Sequence, residues 1–345
     1  MLPRMRIAYL ADASNANGFY RGVGPMAHLQ FDGHVVRQLD TDRHRPPLAG
    51  VRDVDVLHVH RYCDDRALKL IREAKRHGAA VVWDDDDDFG VFEKGARAYR
   101  RHGGLAWERR LVALRAIFRE ADVVTTTSEL LAERLRAYGA RYTVAIENYV
   151  PGRYLHGDHE IRRRGPVTVG WIAGLEHHID MERIPIQAAL QRVLDERPDV
   201  RVETLGLGLG LRADRYVKTR FVPVLELIDH ASAWDVGIAP LADLAFNQSK
   251  SNVKLKEYAA GATPWLASPV GPYVGMGEQQ GGRLVADDCW YEEIARLIDK
   301  PRERRKLAKR AVKWVAGQTL ERNFKRWEAV LAEAVERASV QALAS

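Results

Sequence analysis

The sequence predicts an α/β protein made of two doubly wound halves, each a parallel sheet flanked by helices. Three observations predict it. Short runs rich in Val and Ile, nearly continuous in apolar residues, recur along the chain, as strands covered on both faces require. Helical stretches alternate with these runs, the pattern of parallel strand–helix–strand units. The alternation breaks at NYVPGRYLHGDHEIRRRGP (148–166), rich in Pro, Gly and charge, and then restarts.

In the first half the strand candidates are 6–12, 34–39, 55–60, 79–84 and 121–127, with helices over 63–77, 95–119 and 128–138. Thr126 and Glu129 have the spacing of a capping box at the start of the last helix. In the second half, strands are expected over 167–174, 200–208, 235–241, 263–268 and 282–287, with a helix near 181–196. Helices near 301–316 and 319–340 close the chain. The domains expected are 1–150, a linker 151–165, a second domain 166–318, and a helical tail 319–345.

Such sheets bind ligands at the carboxyl ends of their strands. Three strand ends of the first half meet there. NGFYRG, with Gly18, Tyr20 and Arg21, follows the first strand; His58 and His60 end the third; WDDDDDFG (83–90) follows the fourth. Adjacent ionised Asp side chains repel one another, and burial raises their pKa values, so the run Asp84–Asp88 needs either a use or solvent.

Composition narrows the class. At 345 residues and 46% hydrophobic, each half can bury its own core. The formal charge of +6 suits an anionic ligand but does not by itself point to nucleic acid. Cys63 and Cys289 are far apart and match no metal spacing, which fits a reducing cytoplasm. The N-terminal apolar stretch is too short for a signal peptide, and no run reaches the length of a membrane span.

FNQSKSNVKLKEYAAGATPWLASPVG (246–271) is the most informative segment. A polar loop leads into a helix expected to begin near Ser251, with Lys250, Lys254 and Glu257 at i, i+4 and i+7 on one stripe. The N–H groups of Ser251 and Asn252 would form an anion site reinforced by the helix dipole. Glu257 would lie about 9 Å further along the axis at 1.5 Å per residue. A nucleoside diphosphate spans that distance, with phosphates at the N-terminus and ribose hydroxyls on the carboxylate. On spacing alone, a solvated amphipathic helix explains the pattern equally well.

KSNVKLKEYAAGATPWLAS resembles the K-S-x-x-K-x-x-E-Y motif of GT-B-fold glycosyltransferases near the retaining glycosyltransferase family 4. GFYRGVGP, VVWDDDDDF, ADVVTTTSELLAERL, IENYVPGRY, VTVGWIAGLEHHID and ASAWDVGIAPLAD are similar to further segments of that family, in its order. The resemblance implies two facing Rossmann-like domains, with the C-terminal helix returning to the first. It implies that Glu257 holds the ribose of a nucleotide sugar, that Lys250, Ser251 and Asn252 hold its diphosphate, and that the base lies near RFVP (220–223), at Val222. Lys254 and His177 are further donor candidates. Ser249 stands where the family's E-x7-E pattern has its first Glu, and the usual Arg and Lys after the first strand of the second domain are replaced by GLEHHID.

Asp86 and Asp87 match the family's Asp-Asp and, with His60, are expected to work on the acceptor; Asp84, Asp85 and Asp88 read as additional solvated charge. Gly18, Tyr20, Arg21 and His58 are expected to line the cleft. No metal and no cofactor are expected, although His58 with His60, and EHHID (176–180), have the look of weak metal candidates. GLGLG (206–210) lacks dinucleotide-loop spacing and reads as a flexible turn.

Helix 96–120 combines Leu105, Trp107, Leu111, Leu114 and Phe118 with many Arg, which suits an anionic lipid surface; a core-facing stripe with a solvated basic face is preferred. The basic stretch 300–310 reads as a solvated helix and not as a nucleic-acid patch. The expected activity is metal-independent, retaining transfer of a hexose from a nucleotide sugar, UDP favoured over GDP, to an unidentified acceptor hydroxyl. An epimerase of the same fold and a non-catalytic nucleotide-binding partner are the alternatives.

Overall fold

A computed structural model describes residues 3–40, 46–94, 97–155 and 165–344. Two six-stranded sheets organise the chain, and every strand pairing in both is parallel. The first holds β1 (Arg6–Leu10), β2 (Val35–Gln38), β3 (Val56–His60), β4 (Ala80–Asp84), β5 (Val123–Thr126) and β6 (Thr143–Ala145), ordered β2-β1-β3-β4-β5-β6. The second holds β7 (Val167–Ala173), β8 (Val200–Gly206), β9 (Tyr216–Thr219), β10 (Val236–Ala239), β11 (Trp265–Ala267) and β12 (Gly282–Leu284), ordered β12-β11-β10-β7-β8-β9.

In each sheet the order reverses once, between β1 and β3 in the first and between β7 and β10 in the second. Crevices open outside such reversals because successive crossovers leave on opposite faces. The two strands the sequence did not predict, β6 and β9, are the short outer strands of their sheets, where partial exposure blurs the apolar signal.

The helix Lys325–Ala344 returns to the first sheet. Trp327, Val330, Leu331 and Ala334 pack with Ile7, Val56, Ala80 and Val82 in one core. Polar contacts fix the crossing: Met5 N donates to His34 Nδ1 (3.1 Å), and His34 Nε2 meets Glu328 Oε1 (3.0 Å).

Several local expectations need correction. Ser128, not Thr126, caps the helix Glu129–Tyr138 by accepting from Leu131 N. The helix expected over 95–119 is two, Arg97–His102 and Leu105–Glu120, parted at Gly103 and Gly104, where Gly104 takes φ +54°. Leu114, Ile117 and Phe118 are core-facing, but Leu105 is 71% exposed. Leu207 and Leu209 anchor the GLGLG turn in the core. The basic stretch is not wholly solvated either, since buried Arg304 donates to the carbonyls of Leu297 and Ile298. Most of the expected linker (156–164) lies outside the described residues. No helix among the described residues is long and apolar enough to cross a membrane.

Candidate active site

The two halves meet at the carboxyl ends of their strands. After β1 the chain turns tightly at Gly18, where a Cβ would lie 1.8 Å from Asp12 O, so only glycine fits. A widened π turn over Phe19–Val23 follows, a local irregularity that re-aims side chains. Tyr20 is aimed across the interface. Arg21 is not: fully buried, it pairs with Asp84 (2.6 and 3.0 Å) and donates to Thr126 O (3.1 Å), Asn148 Oδ1 (3.2 Å) and Ile146 O. Arg21 therefore ties strand ends together beneath the cleft and does not line it.

His58 also leaves the expected cleft set. It is fully buried, edge-on to Trp327 at 5.4 Å, and burial pushes its pKa down to about 4, so it is a neutral core group. That environment removes it as a metal partner for His60.

The Asp run is neither a solvated turn nor a set of free carboxylates. Asp84, Asp85 and Asp88, expected to be solvated, are buried because each has a fixed partner. Asp84 takes Arg21 and Thr125 Oγ1 (2.6 Å). Asp85 takes Arg110 Nη2 (2.7 Å) and its neighbours' backbone N–H groups. Asp88 takes Arg134 Nη1 (3.1 Å), Tyr138 Oη (3.0 Å) and Gly90 N (3.0 Å).

Asp86 and Asp87 face the cleft with His60. His60 Nε2 lies 3.2 Å from Asp86 Oδ1. Arg61 donates to Asp86 (2.7 Å) and to Asp87, and lies 3.2 Å from Asp85. Asn17, with its amide oxygen turned toward Arg61, accepts from both terminal nitrogens at 2.7 and 2.6 Å. Arg61 sits in the left-handed region at φ +63°, where non-glycine residues are strained and which clusters at functional sites.

The two carboxyls diverge. Burial opposes ionisation of both, but Arg61 and the bonded His60 hold Asp86 below the ordinary carboxylate range. Burial, with Asp86 and Glu176 nearby, raises Asp87 despite Arg61 and Lys250. Such a split separates a fixed anion from a proton acceptor.

On the opposite wall the helix is Val253–Ala260, so it starts after Ser251, and Lys250 precedes it and lies off the expected stripe. Lys250 Nζ nonetheless reaches the cleft, 3.9 Å from Asp87 and 3.7 Å from Glu176. Lys254 Nζ is 2.7 Å from His177 Nε2, and His177 Nδ1 is 2.6 Å from Asp180. Asp180 is in turn held by Ala242 N (2.9 Å) and Asn247 Nδ2 (2.7 Å). His177 and His178 each have a protein partner, so EHHID shows no metal arrangement. Burial lowers Lys254 to about 8.

Glu257 is buried and raised to about 7 by burial, opposed by a 2.8 Å hydrogen bond from Tyr20 Oη and by Lys254. Ser251 Oγ accepts from Asn148 Nδ2 at 3.3 Å, while Asn252 Oδ1 is buried with no hydrogen-bond partner. Val222 is part-buried on the core beneath this wall. Ser249 is buried under Arg134, whose Nη1 donates to its Oγ (3.1 Å) and to Ala245 O (2.8 Å). Lys256, fully buried, clasps the halves through Glu147 (2.6 Å) and Asn148 O (2.8 Å).

Sequence reasoning missed Arg61 and Glu176. Neither positive φ nor an ion pair between segments far apart in the chain has a sequence signal. It also missed a cavity of about 280 Å³ at the β1/β3 reversal, beside His60 and Arg61. Among the described residues, one His/carboxylate cluster has metal-like spacing: Asp32, His34 and Glu328. It lies under the C-terminal helix, where Met5 N and Lys325 already occupy its ligand atoms.

No family model matches the sequence, and no curated protein matches it. Solved structures do. An alpha-glucosyltransferase in complex with UDP-glucose and DNA containing an abasic site superposes with a TM-score of 0.67 over 95% of this chain and 100% of that one, at 12% identity. HepE of Anabaena, in complex with UDP and glucose, gives 0.67 over 95% and 100%, at 15% identity. Sucrose-phosphate synthase of Thermosynechococcus elongatus gives 0.64 over 99% and 100%, at 16% identity. With both sheets, their strand orders and the returning helix in place, the chain has the GT-B fold.

Proposed function

We propose that the protein is a glycosyltransferase that moves a hexose from a UDP-sugar to an acceptor hydroxyl, with retention and without a metal. The carrying observation is the pairing across the cleft. Lys250 Nζ lies 3.9 Å from Asp87, which shares Arg61 with Asp86, and Glu257 accepts from Tyr20 Oη of the first half at 2.8 Å. UDP-sugars are what the alpha-glucosyltransferase and HepE structures contain, which favours uridine over guanosine.

In this reading Glu257 accepts the ribose hydroxyls, and the base lies against Val222. Lys250, Lys254, Ser251 and the backbone N–H groups of Ser251 and Asn252 hold the diphosphate; the unpartnered Asn252 Oδ1, an acceptor, takes a hydroxyl hydrogen of the donor. The acceptor oxygen attacks the anomeric carbon from the leaving-group face. The bond from that carbon to the diphosphate oxygen breaks, its electron pair staying on phosphate, and the acceptor proton passes to Asp87. Lysines and helix N–H groups aimed at the phosphate stabilise the charge that develops there. Ser249, sealed under Arg134, offers no nucleophile, which is why front-face attack is preferred to a covalent intermediate.

Lys250→Ala is expected to weaken UDP by more than about tenfold and uridine by less than about twofold, since only the diphosphate is its partner. Calorimetric titration decides, and equal losses for the two ligands would move Lys250 to a structural role. Transfer is also expected to survive EDTA. Chelator-sensitive activity restored by Mn²⁺ would replace the lysine-based stabilisation with a metal bound at the Asp run.

A further inference from the structure

The turn after β7, GLEHHID (174–180), carries neither Arg nor Lys. What it brings to the second-half wall is a hydrogen-bond acceptor. His177 is buried, backed by the ring of Trp171 at 5.6 Å, and its two ring nitrogens have different partners. Nδ1 lies 2.6 Å from Asp180 Oδ2, and Nε2 lies 2.7 Å from Lys254 Nζ. The other oxygen of Asp180 accepts from Ala242 N (2.9 Å) and Asn247 Nδ2 (2.7 Å), both from the segment after β10. The carboxylate is therefore fixed from outside the turn.

These partners decide where the imidazole hydrogen sits. Burial and the neighbouring Lys254 lower the pKa of His177, so the ring is neutral and carries one N–H. An ionised carboxylate only accepts, which places that N–H on Nδ1 and leaves Nε2 a bare acceptor. Lys254 is the group that gains. Burial lowers it to about 8; Lys250 also opposes its charge, while Glu176, Glu257 and Asp180 favour it. A hydrogen bond given by the ammonium to Nε2 adds to the favourable side. With the hydrogen on Nε2 instead, N–H would face N–H across 2.7 Å, and Lys254 would swing away or lose its proton.

We propose that Asp180 and His177 are positioning residues: Asp180 holds the imidazole in its Nδ1–H tautomer, and Nε2 holds the Lys254 ammonium at the place assigned to the donor diphosphate. The inference rests on the proposed donor site for the role of Lys254. The tautomer and the titration of Lys254 do not depend on that site.

The test reads the three links separately. Nitrogen-15 NMR of histidine-labelled protein, with the His177 signals assigned by their loss in His177→Gln, is expected to show Nδ1–H in the wild type. Asp180→Asn keeps an oxygen for Ala242 N and Asn247 but turns an amide N–H₂ toward His177, so the ring hydrogen is expected to move to Nε2. Pulsed acetylation followed by mass spectrometry is expected to place the Lys254 titration at about pH 8 in the wild type and about one unit lower in the variant. UDP-glucose affinity in calorimetry is expected to fall as pH rises through each value. At pH 8.5 the variant should bind it about five- to tenfold more weakly, with uridine, which lacks the diphosphate, changed by less than about twofold.

Nε2–H in the wild type, or a Lys254 titration unmoved by Asp180→Asn, would overturn the proposal. So would an equal loss of uridine, which makes Asp180 a support of the whole domain. If Asp180→Asn does not fold, the wild-type spectrum decides by itself. The expected tautomer and the shifted Lys254 titration, in a protein that binds no UDP-glucose, would instead sink the donor reading and leave the positioning of Lys254 standing.

Discussion

Asp87→Asn is expected to lower transfer by on the order of 10² to 10⁴ while leaving UDP-glucose affinity unchanged or slightly higher. The substitution keeps shape and removes the charge that takes the acceptor proton. Affinity does not fall, because Lys250 loses a competitor for the diphosphate and not a support. Wild-type transfer should decline as pH drops through the raised pKa of Asp87, since a base works only when deprotonated. That acid limb is absent from the residual activity of Asp87→Asn. A variant with wild-type kcat, or one that keeps the limb in kcat at saturating UDP-glucose, where Glu257 titration does not enter, removes Asp87 from the chemistry. Asp86→Asn should also slow transfer but lose stability as well, because it leaves Arg61 and His60 without their shared anion.

Glu257→Gln is expected to weaken UDP-glucose by at least about tenfold and yet raise the melting temperature at pH 8. A charged acceptor of hydrogen bonds contributes roughly 1.5–3 kcal/mol, and the amide loses that charge. The stability change has the opposite sign for a definite reason. Glu257 has a folded-state pKa raised from 4.5 to about 7 by burial. A raised pKa favours the fold below the unfolded value, and that contribution is lost as pH rises through the folded one. At pH 8 the wild type therefore holds a disfavoured buried anion, up to about 3 kcal/mol at 1.36 kcal/mol per pKa unit, that Gln does not. Below about pH 4, under the unfolded value, the two proteins should melt alike. Unchanged affinity in calorimetry would detach Glu257 from the nucleotide; a lower melting temperature at pH 8 would mean Tyr20 prefers the anion more strongly than burial disfavours it.

How much of this was legible in the sequence depends on the range of each signal. Buried parallel strands write themselves as continuous apolar runs, so the inner strands were readable and only the outer β6 and β9 were not. The Lys250–Glu257 segment was readable because its groups are neighbours along the chain. Contacts spanning the two halves were not. Nothing local distinguishes Arg21, which binds Asp84 beneath the cleft, from Tyr20, which crosses it to Glu257. The Asp run misled for the same reason: its solvation was inferred from like charge alone, while Arg61, Arg110 and Arg134 arrive from distant segments. His58 alternates with His60 on one strand face, and only the returning Trp327 decides that one is core and the other is not.

The pairing of Glu257 with Tyr20, Lys250 with Asp87, and Ser251 with Asn148 bears on how fast the protein can be loaded. In each pair the partner comes from the first half and, on the proposed donor reading, occupies a group assigned to the nucleotide. Association is then an exchange, in which these contacts separate before UDP-glucose can form its own. Only the separated population is competent, so apparent affinity is scaled by its fraction. On the proposed donor reading, the loading rate is expected to climb with nucleotide concentration and then level at the rate of parting, a ceiling written by the protein and not by diffusion.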